Sequence, residues 1–304
     1  MKIKKLISAL VLSSMLVGLS GCNITDFSAE NLLRPPKAVG DEAEIEQLIA
    51  KTADSGYTLK YPKNGKFRSA IIMTDLDGND SNEAVAFFRN SAETSSVHML
   101  VMYSKDNSWE IASDNIFETT DIDSVDFADL TGNGKAEIIV NSTTYTPNVG
   151  KLSCYSYSEG KTNEVGSGQS CSSFVTGDFD NDGTSEIMSL VLYTTENEAL
   201  ASMLDYNEDS KSLYAKAMAN MDPNVVKYKN IAVTKLDNDI TGIVVDGTSA
   251  NEVTNTQVIF YSRDLAILRN PLFKEKAKNI TRRSSQVICS DTVSYTHLRA
   301  HETL

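Results

Sequence analysis

The chain has little histidine, little cysteine and no surplus of positive charge. Its 304 residues include 3 histidines, 4 cysteines and a single tryptophan. With 28 Lys and Arg against 41 Asp and Glu, the net charge is −13 and the isoelectric point is about 4.7. Histidine-based catalysis and zinc sites are therefore unexpected, and so acidic a chain is poorly suited to bind nucleic acid. The 41% of hydrophobic residues is typical of an ordinary globular protein.

The N-terminus has the pattern of an export signal. After MKIKK the residues from Leu6 to Leu19 are almost all apolar, and this run is too short to span a bilayer core of about 30 Å as a helix. The run ends in Leu19-Ser20-Gly21-Cys22, which resembles the lipobox of bacterial lipoproteins. The resemblance implies a signal peptide over residues 1–21, a lipidated Cys22, and a mature chain anchored at the extracytoplasmic face of the cell membrane.

The end of the chain differs in pattern from everything before it. Residues 291–304, DTVSYTHLRAHETL, have no apolar periodicity and contain two of the three histidines. This string resembles the translated read-through of a sequencing adapter, which implies a non-native tail on a truncated gene. We expect the folded repeats to lie in residues 56–290, with further repeats in the intact protein.

Residues 22–55 are expected to form a linker and a short helix. Ile45, Leu48 and Ile49 fall at helical spacing, which predicts a helix over Glu42 to Thr52, the alternative being a disordered spacer.

Three later segments share a pattern of strand, acidic loop and strand. The loops begin at Asp75, Asp129 and Asp178, and a degenerate copy begins at Lys235, so that successive starts are 54, 49 and 57 residues apart. Between the loops, short β-branched and aromatic runs alternate with turn residues, giving about four strands per period. This content predicts an all-β fold, a β-propeller of four-stranded blades of which about four are present.

Two further strand patterns bear on closure of such a ring. The run Tyr57 to Pro62 precedes the first repeat, and we expect it to form the outer strand of the last blade. The run from Ser285 to Asp291 is expected to be the first strand of a fifth blade.

Each acidic loop has oxygen-bearing side chains at its positions 1, 3, 5 and 9. Spacing by two lets alternate side chains converge, as Ca²⁺ requires for its six to eight oxygen ligands. A glutamate at position 9 between strands distinguishes these loops from the EF-hand, whose glutamate is at position 12 beside a helix. The predicted ligands are Asp75, Asp77, Asn79, Glu83, Asp129, Thr131, Asn133, Glu137, Asp178, Asp180, Asp182 and Glu186.

The loops are expected to differ in strength. The third has four carboxylates and should bind calcium best, whereas the second has two. In the first loop Asp80 stands where the other two have a glycine, which is expected to strain the turn. The degenerate copy should be empty because Lys235 places a cation where a ligand belongs. The alternative is that Asp, Asn and Gly only shape the turns.

The three loops in register resemble the FG-GAP or VCBS-type repeat of integrin α-chain-like β-propellers, over roughly residues 68–290. The layout is also similar to that of bacterial lipoproteins with such repeats, including the stretch from Leu32 to Lys37. The resemblance implies calcium in the loops and implies no reaction.

The residues leave the function open. Cys154 and Cys171 could form a disulfide outside the cytoplasm or remain buried thiols, and His98 in an alternating strand is interpreted as structural. No hydrolase, metalloprotease or phosphate-loop motif is present. We expect a non-enzymatic binding module at the cell envelope, with a protein or glycan at the cell surface as its partner. The alternatives are a polysaccharide-acting propeller enzyme, with catalytic carboxylates in its channel or missing blades, and a scaffold lipoprotein.

Overall fold

The structure is a computed structural model that describes residues 40–54, 56–237, 240–269, 280–283 and 286–289. The predicted signal peptide, Cys22, most of the predicted linker and the tail at 291–304 lie outside the described residues. The chain divides into two compact units, Met1–Ala43 and Glu44–Leu304. Only residues 40–43 of the first unit are described, so the fold is that of the second. Among the described residues no helix combines the length and the apolar character needed to cross a membrane.

The described chain is almost entirely β-structure, which confirms the predicted all-β class. One helix, α1, spans Asp41–Ala53. Within the described ranges it is followed by nineteen strands: β1 Tyr57–Leu59, β2 Ile71–Thr74, β3 Glu83–Asn90, β4 Val97–Lys105, β5 Ser108–Phe117, β6 Ile122–Ala128, β7 Glu137–Thr143, β8 Gly150–Ser158, β9 Lys161–Cys171, β10 Ser173–Gly177, β11 Glu186–Tyr193, β12 Glu198–Asn207, β13 Ser212–Asn220, β14 Val225–Asp237, β15 Ile240–Ser249, β16 Thr254–Tyr261, β17 Leu265–Arg269, β18 Ile280–Arg283 and β19 Gln286–Cys289.

The strands form successive antiparallel sheets in chain order. The first sheet contains β1 to β5, the second β6 to β9, the third β10 to β13 and the fourth β14 to β17. In the second, third and fourth sheets each strand pairs with its neighbours in sequence, as the predicted four strands per period require. Among the described strands, β18 and β19 pair with each other, Ile280 opposite Cys289, so the strand predicted over Ser285 to Asp291 is described in part as β19.

Consecutive sheets pack face to face through apolar side chains. Strands β3, β7, β11 and β15 are buried almost throughout, because their side chains point alternately to two covered faces. Burial of each large apolar side chain stabilises the fold by about 1.5–3 kcal/mol. The pairs of sheets share the clusters that contain Phe87 with Ile138, Ile139 with Ile187, and Met188 with Ile243.

Helix α1 covers the face of the first sheet that points away from the second. Ile45, Ile49 and Ala53 recur every four residues and are all buried, forming one apolar stripe. This stripe packs against a cluster that includes Phe88 and Leu100. The helix ends before Asp54, whose φ of 55° lies in the left-handed region. The spacing of Ile45, Leu48 and Ile49 therefore predicted the helix; Ile45 and Ile49 are buried in it and Leu48 is half-buried.

Strand β1 does not serve a last blade, so that prediction is wrong. It pairs with β3 of the first sheet, Tyr57 opposite Asn90 and Leu59 opposite Phe88. The physical reason is the length of β3. Strand β2 pairs only with the part of β3 from Glu83 to Ala86, which leaves the rest of the same edge open for β1.

Candidate functional site

Each predicted acidic loop joins two paired strands of one sheet: β2 and β3, β6 and β7, or β10 and β11. In all three the side chain at position 2 is buried and the position-9 glutamate starts the next strand. That glutamate accepts a hydrogen bond of 2.8 Å from the position-2 amide. The pairs are Leu76 N to Glu83 Oε2, Leu130 N to Glu137 Oε2 and Phe179 N to Glu186 Oε2.

Burial of these glutamates perturbs their acidity. Glu83, Glu137 and Glu186 are all at most 3% exposed. Desolvation by burial raises the pKa of all three carboxyls, and in the third loop it raises the pKa of Glu186 to about 8, with Asp180 and Asp182 adding to the rise. Each buried carboxylate is thus placed where a cation would favour its charged form.

The remaining loop positions repeat the same hydrogen bonds. The position-1 aspartate accepts the position-6 amide: Asp80 N to Asp75 Oδ2 at 2.9 Å, Gly134 N to Asp129 Oδ2 at 2.8 Å, and Gly183 N to Asp178 Oδ2 at 3.3 Å. The position-5 side chain accepts the position-7 amide: Ser81 N to Asn79 Oδ1 at 2.7 Å, Lys135 N to Asn133 Oδ1 at 2.8 Å, and Thr184 N to Asp182 Oδ1 at 2.8 Å. The three loops therefore have one shared conformation.

Positions 4 and 6 of each loop have left-handed backbone angles. At position 6 Gly134 and Gly183 have φ values of 79° and 93°, and Asp80 has 64° in the first loop. Asn181 takes the corresponding value of 59° at position 4 of the third loop, where the other loops have glycine. Aspartate and asparagine tolerate this region better than other non-glycine residues. The strain predicted at Asp80 corresponds to its left-handed φ of 64°.

Two of the loops bring three or more carboxylates together. One oxygen from each of Asp178, Asp180, Asp182 and Glu186 lies within 4.8 Å of the others, and the same holds for Asp75, Asp77 and Glu83. Two oxygens in these clusters, Asp77 Oδ1 and Asp178 Oδ1, are buried without a hydrogen-bond partner. These clusters could hold a metal ion, and their all-oxygen donor sets suit a hard cation.

The second loop has the same conformation and fewer charges. Its carboxylates are Asp129 and Glu137, and Thr131 Oγ1 donates to Glu137 Oε1 at 3.3 Å. In the degenerate fourth copy, β14 pairs with β15 up to Asp237 opposite Ile240, and Lys235 itself lies in this ladder opposite Thr241.

A lysine contacts the third loop, and no sequence motif predicted it. Lys216 of β13 donates a hydrogen bond to Asp180 Oδ2 and another, at 2.7 Å, to Asp205 Oδ2. Burial alone would lower the pKa of Lys216, but its hydrogen bonds to Asp180 and Asp205 raise it instead. Lys216 lies 36 residues from Asp180 in the sequence, and only sheet pairing brings the two together. It offsets part of the negative charge of the strongest predicted site.

Neighbouring loops also touch one another. Ala136 N donates to Leu76 O at 3.1 Å, and Ser185 N donates to Asp129 O at 2.9 Å. Gly132 has a φ of 70°, and a Cβ at this position would lie 2.7 Å from Thr184 Cγ2 in the next loop. Only glycine meets both demands without strain. The loops therefore form a connected row.

A large cavity lies at the ends of β6 and β10 opposite to their acidic loops. Its volume is about 1020 Å³. The walls come from the first residues of β6, β10 and β14, from the segment before β2, and from the turn between β7 and β8. Because β6 and β10 run from this cavity toward their acidic loops, the cavity and the loops occupy opposite strand ends.

The other sequence candidates are structural in the described residues. Cys154 and Cys171 are buried free thiols. Cys154 pairs with Gly166 and Cys171 with Gly150, which separates them by four residues along β8, or about 13 Å, too far for a disulfide. His98 stacks on Phe88 and its Nδ1 lies 2.9 Å from Asp114 Oδ1, consistent with a structural role.

Comparison with protein-family models gives no match to this chain, and comparison with curated proteins gives none either. The resemblance to FG-GAP or VCBS repeats therefore depends on the loop pattern itself.

Proposed function

We propose that this chain is a calcium-stabilised binding module at the bacterial cell envelope, which takes its ligand in the cavity lined by β6, β10 and β14. The observation that carries the proposal is the cavity. At about 1020 Å³ it is as large as sites that enclose sizeable ligands. Its walls come from several packed sheets, and such rigid scaffolds hold binding groups in fixed positions.

Calcium is the cation that best fits the acidic loops. The donors are carboxylate, amide and hydroxyl oxygens, with no nitrogen or sulfur ligand among the predicted residues. Two carboxylates about 4 Å apart repel by about 4 kcal/mol at an effective dielectric constant of 20. An ion held by Asp178, Asp180, Asp182 and Glu186, and another held by Asp75, Asp77, Asn79 and Glu83, would remove this repulsion and stabilise the loops. The second site, with Asp129, Thr131, Asn133 and Glu137, would be the weakest.

We further propose that the sheets are blades of an FG-GAP or VCBS-like β-propeller. The support is the repeating four-strand content and the face-to-face packing of consecutive sheets. Helix α1 covers the face of the first sheet that a last blade would otherwise contact. A closed ring would therefore include this helix at its junction.

The envelope location is proposed from the lipobox-like end of the apolar N-terminal run. Lipidation of Cys22 would anchor the chain outside the cytoplasm, where weak calcium sites of about 10⁻⁴–10⁻³ M are useful. Metabolic labelling with an alkyne fatty acid should mark the full chain, and Cys22→Ser should abolish the label. Labelling that persists in this variant would contradict the anchor.

Binding is favoured over catalysis by where the perturbed carboxyls lie. Among the described residues, the acidic side chains whose pKa is raised are Glu83, Glu137 and Glu186. All three accept amides of their own loops, far along the strands from the cavity. The cavity aspartates Asp123 and Asp126 accept hydrogen bonds from neighbouring side chains, which hold them in the wall. A catalytic site would place its perturbed carboxyls in the cleft, and Glu83, Glu137 and Glu186 lie elsewhere.

The test is retention of the detergent-solubilised full chain on isolated bacterial cell envelopes, with detergent kept present so that the proposed lipid anchor does not itself hold the chain. Ser173 lines the cavity, so Ser173→Trp should fill part of it and reduce retention. Ser158→Trp, at the exposed end of β8, is the matched control and should behave like the unsubstituted chain. Circular dichroism melts would confirm that both variants fold. Equal retention of a folded Ser173→Trp variant would refute the cavity as the binding site.

A further inference from the structure

The cavity has a charge opposite in sign to that of the whole chain. Its lining includes four lysines, Lys63, Lys66, Lys227 and Lys229, and two aspartates. The chain as a whole carries a net charge of −13. A local excess of lysines in an acidic protein is a specific feature of this surface, because the overall composition would predict the reverse.

The two aspartates are already engaged by their neighbours. Asp126 lies 3.2 Å from Lys66 Nζ and accepts a hydrogen bond of 3.0 Å from Thr176 Oγ1. Asp123 accepts hydrogen bonds from Asn64 Nδ2 at 2.9 Å and from Ser124 Oγ at 3.0 Å. These bonds hold the carboxylates within the wall.

The carboxylates beside this wall do not neutralise Lys63, Lys66 and Lys227 one for one. Asp121 is shared by two of them, with Lys60 Nζ at 2.6 Å and Lys63 Nζ at 3.2 Å. Lys66 keeps 72% of its side chain exposed despite its contact with Asp126, and Lys227 is also exposed. One or more ammonium groups therefore remain available to an anion in the cavity.

The rest of the lining suits a ligand rich in hydroxyl groups. Asn64, Ser124, Thr143, Thr144 and Ser173 contribute polar side chains. Asn141 is only 1% exposed, and its Oδ1 is a buried acceptor with no hydrogen-bond partner. Such an atom calls for a donor.

An exposed aromatic side chain lies in the turn between β7 and β8, beside the cavity lining. Tyr145 is 95% exposed and lies between two lining residues, Thr144 and Thr146. An aromatic ring so exposed offers a flat apolar surface to the face of a sugar ring.

We propose that the cavity binds an acidic polysaccharide whose sugar units carry carboxylate groups. This inference rests on the proposed function of the cavity as a ligand site. The lysines pair with the carboxylates, the amide and hydroxyl groups bind the sugar hydroxyls, and Tyr145 packs on a sugar ring. The acidic loops at the far ends of the strands repel the same polymer and leave the lysine-lined end as its binding face.

Titration calorimetry with short oligogalacturonates tests the ligand class, with neutral malto-oligosaccharides of equal length as the comparison. The acidic oligomer should bind, the neutral one should not, and the affinity should fall at high ionic strength. Neutralising two exposed lysines in Lys66→Gln/Lys227→Gln should weaken binding about tenfold. Lys161→Gln/Lys211→Gln removes the same charge at exposed positions away from the cavity and should leave the affinity unchanged.

Three results would overturn the assignment. Equal binding of neutral and acidic oligomers would show that the cavity does not recognise the carboxylate charge of its ligand. An unchanged affinity in Lys66→Gln/Lys227→Gln would remove the lysines from the site. Single-stranded DNA binding as tightly as the oligogalacturonate would indicate a general polyanion surface. In each case, continued loss of envelope retention by Ser173→Trp would leave the proposed binding function standing, whereas equal retention would remove both.

Discussion

Replacement of the buried glutamate in the third loop should have opposite effects with and without a metal ion. In Glu186→Gln the amide oxygen can still accept the hydrogen bond from Phe179 N, which is 2.8 Å long in the structure. The substitution removes the carboxylate charge and changes the side-chain volume very little. It therefore separates the cost of burying the charge from the loss of packing.

The magnitude follows from the acidity of Glu186. Burial, with the charges of Asp180 and Asp182, raises the pKa of this carboxyl from 4.5 to about 8. Because the folded value lies above the unfolded one, the metal-free protein loses stability as the pH rises from about 4.5 to about 8. At pH 7 the loss is about 3 kcal/mol, at about 1.4 kcal/mol per pH unit. The glutamine variant has no carboxyl to ionise and does not lose this stability. Its metal-free melting temperature at pH 7 should therefore be higher than that of the unsubstituted chain by about 6–12 °C.

Thermal melts in excess chelator and in calcium, between pH 5 and pH 8, measure this effect. In chelator, the melting temperature of Glu186→Gln should exceed that of the unsubstituted chain by an amount that grows with pH. In calcium the order should reverse because the variant has lost a ligand. Glu196→Gln, at an exposed turn, is the control and should change neither series. A Glu186→Gln variant that melts at or below the unsubstituted chain in chelator at every pH would show that burial imposes no such penalty.

Three other substitutions test the remaining loop features. Asp80→Gly should stabilise the metal-free chain by about 1 kcal/mol, because glycine adopts the left-handed angle without strain; a lower melting temperature would contradict this. Lys216→Met leaves Asp180 without its cation, so it should cost about 1–3 kcal/mol in chelator and widen the difference between chelator and calcium melts; an unchanged difference would count against the role of the lysine. Gly132→Ala should cost about 1–3 kcal/mol in denaturant unfolding, and adding Thr184→Ser should recover part of that loss by removing the methyl group in its way; no recovery would refute the close contact as its cause.

The features that repeat locally were the ones that the sequence could predict. Strand content, the helix at Ile45 and Ile49, and the position of each acidic loop follow from spacings of two to nine residues. The loop conformation follows too, because glycine, asparagine and aspartate at positions 4 and 6 adopt the left-handed angles that it requires.

The features that depend on distant pairing could not be predicted. Lys216 meets Asp180 only because β13 is the last strand of the third sheet, and its sequence context is that of an ordinary strand. Strand β1 was assigned to the wrong sheet because its own sequence does not indicate that β3 extends beyond β2 and leaves an edge free for pairing. The lysines of the cavity come from segments as far apart as Lys63 and Lys227, so the acidic composition of the chain conceals them.

The hydrogen bonds between successive loops have a consequence for ion uptake. Because Ala136 N is bonded to Leu76 O and Ser185 N to Asp129 O, ordering of one loop restricts the backbone of the next. A cation that settles in the third loop would lower the entropic cost of filling the weakly charged second one, and that one in turn would assist the first. Occupancy should then rise more steeply with cation concentration than for three independent sites, and the affinity of the weakly charged second loop should increase most.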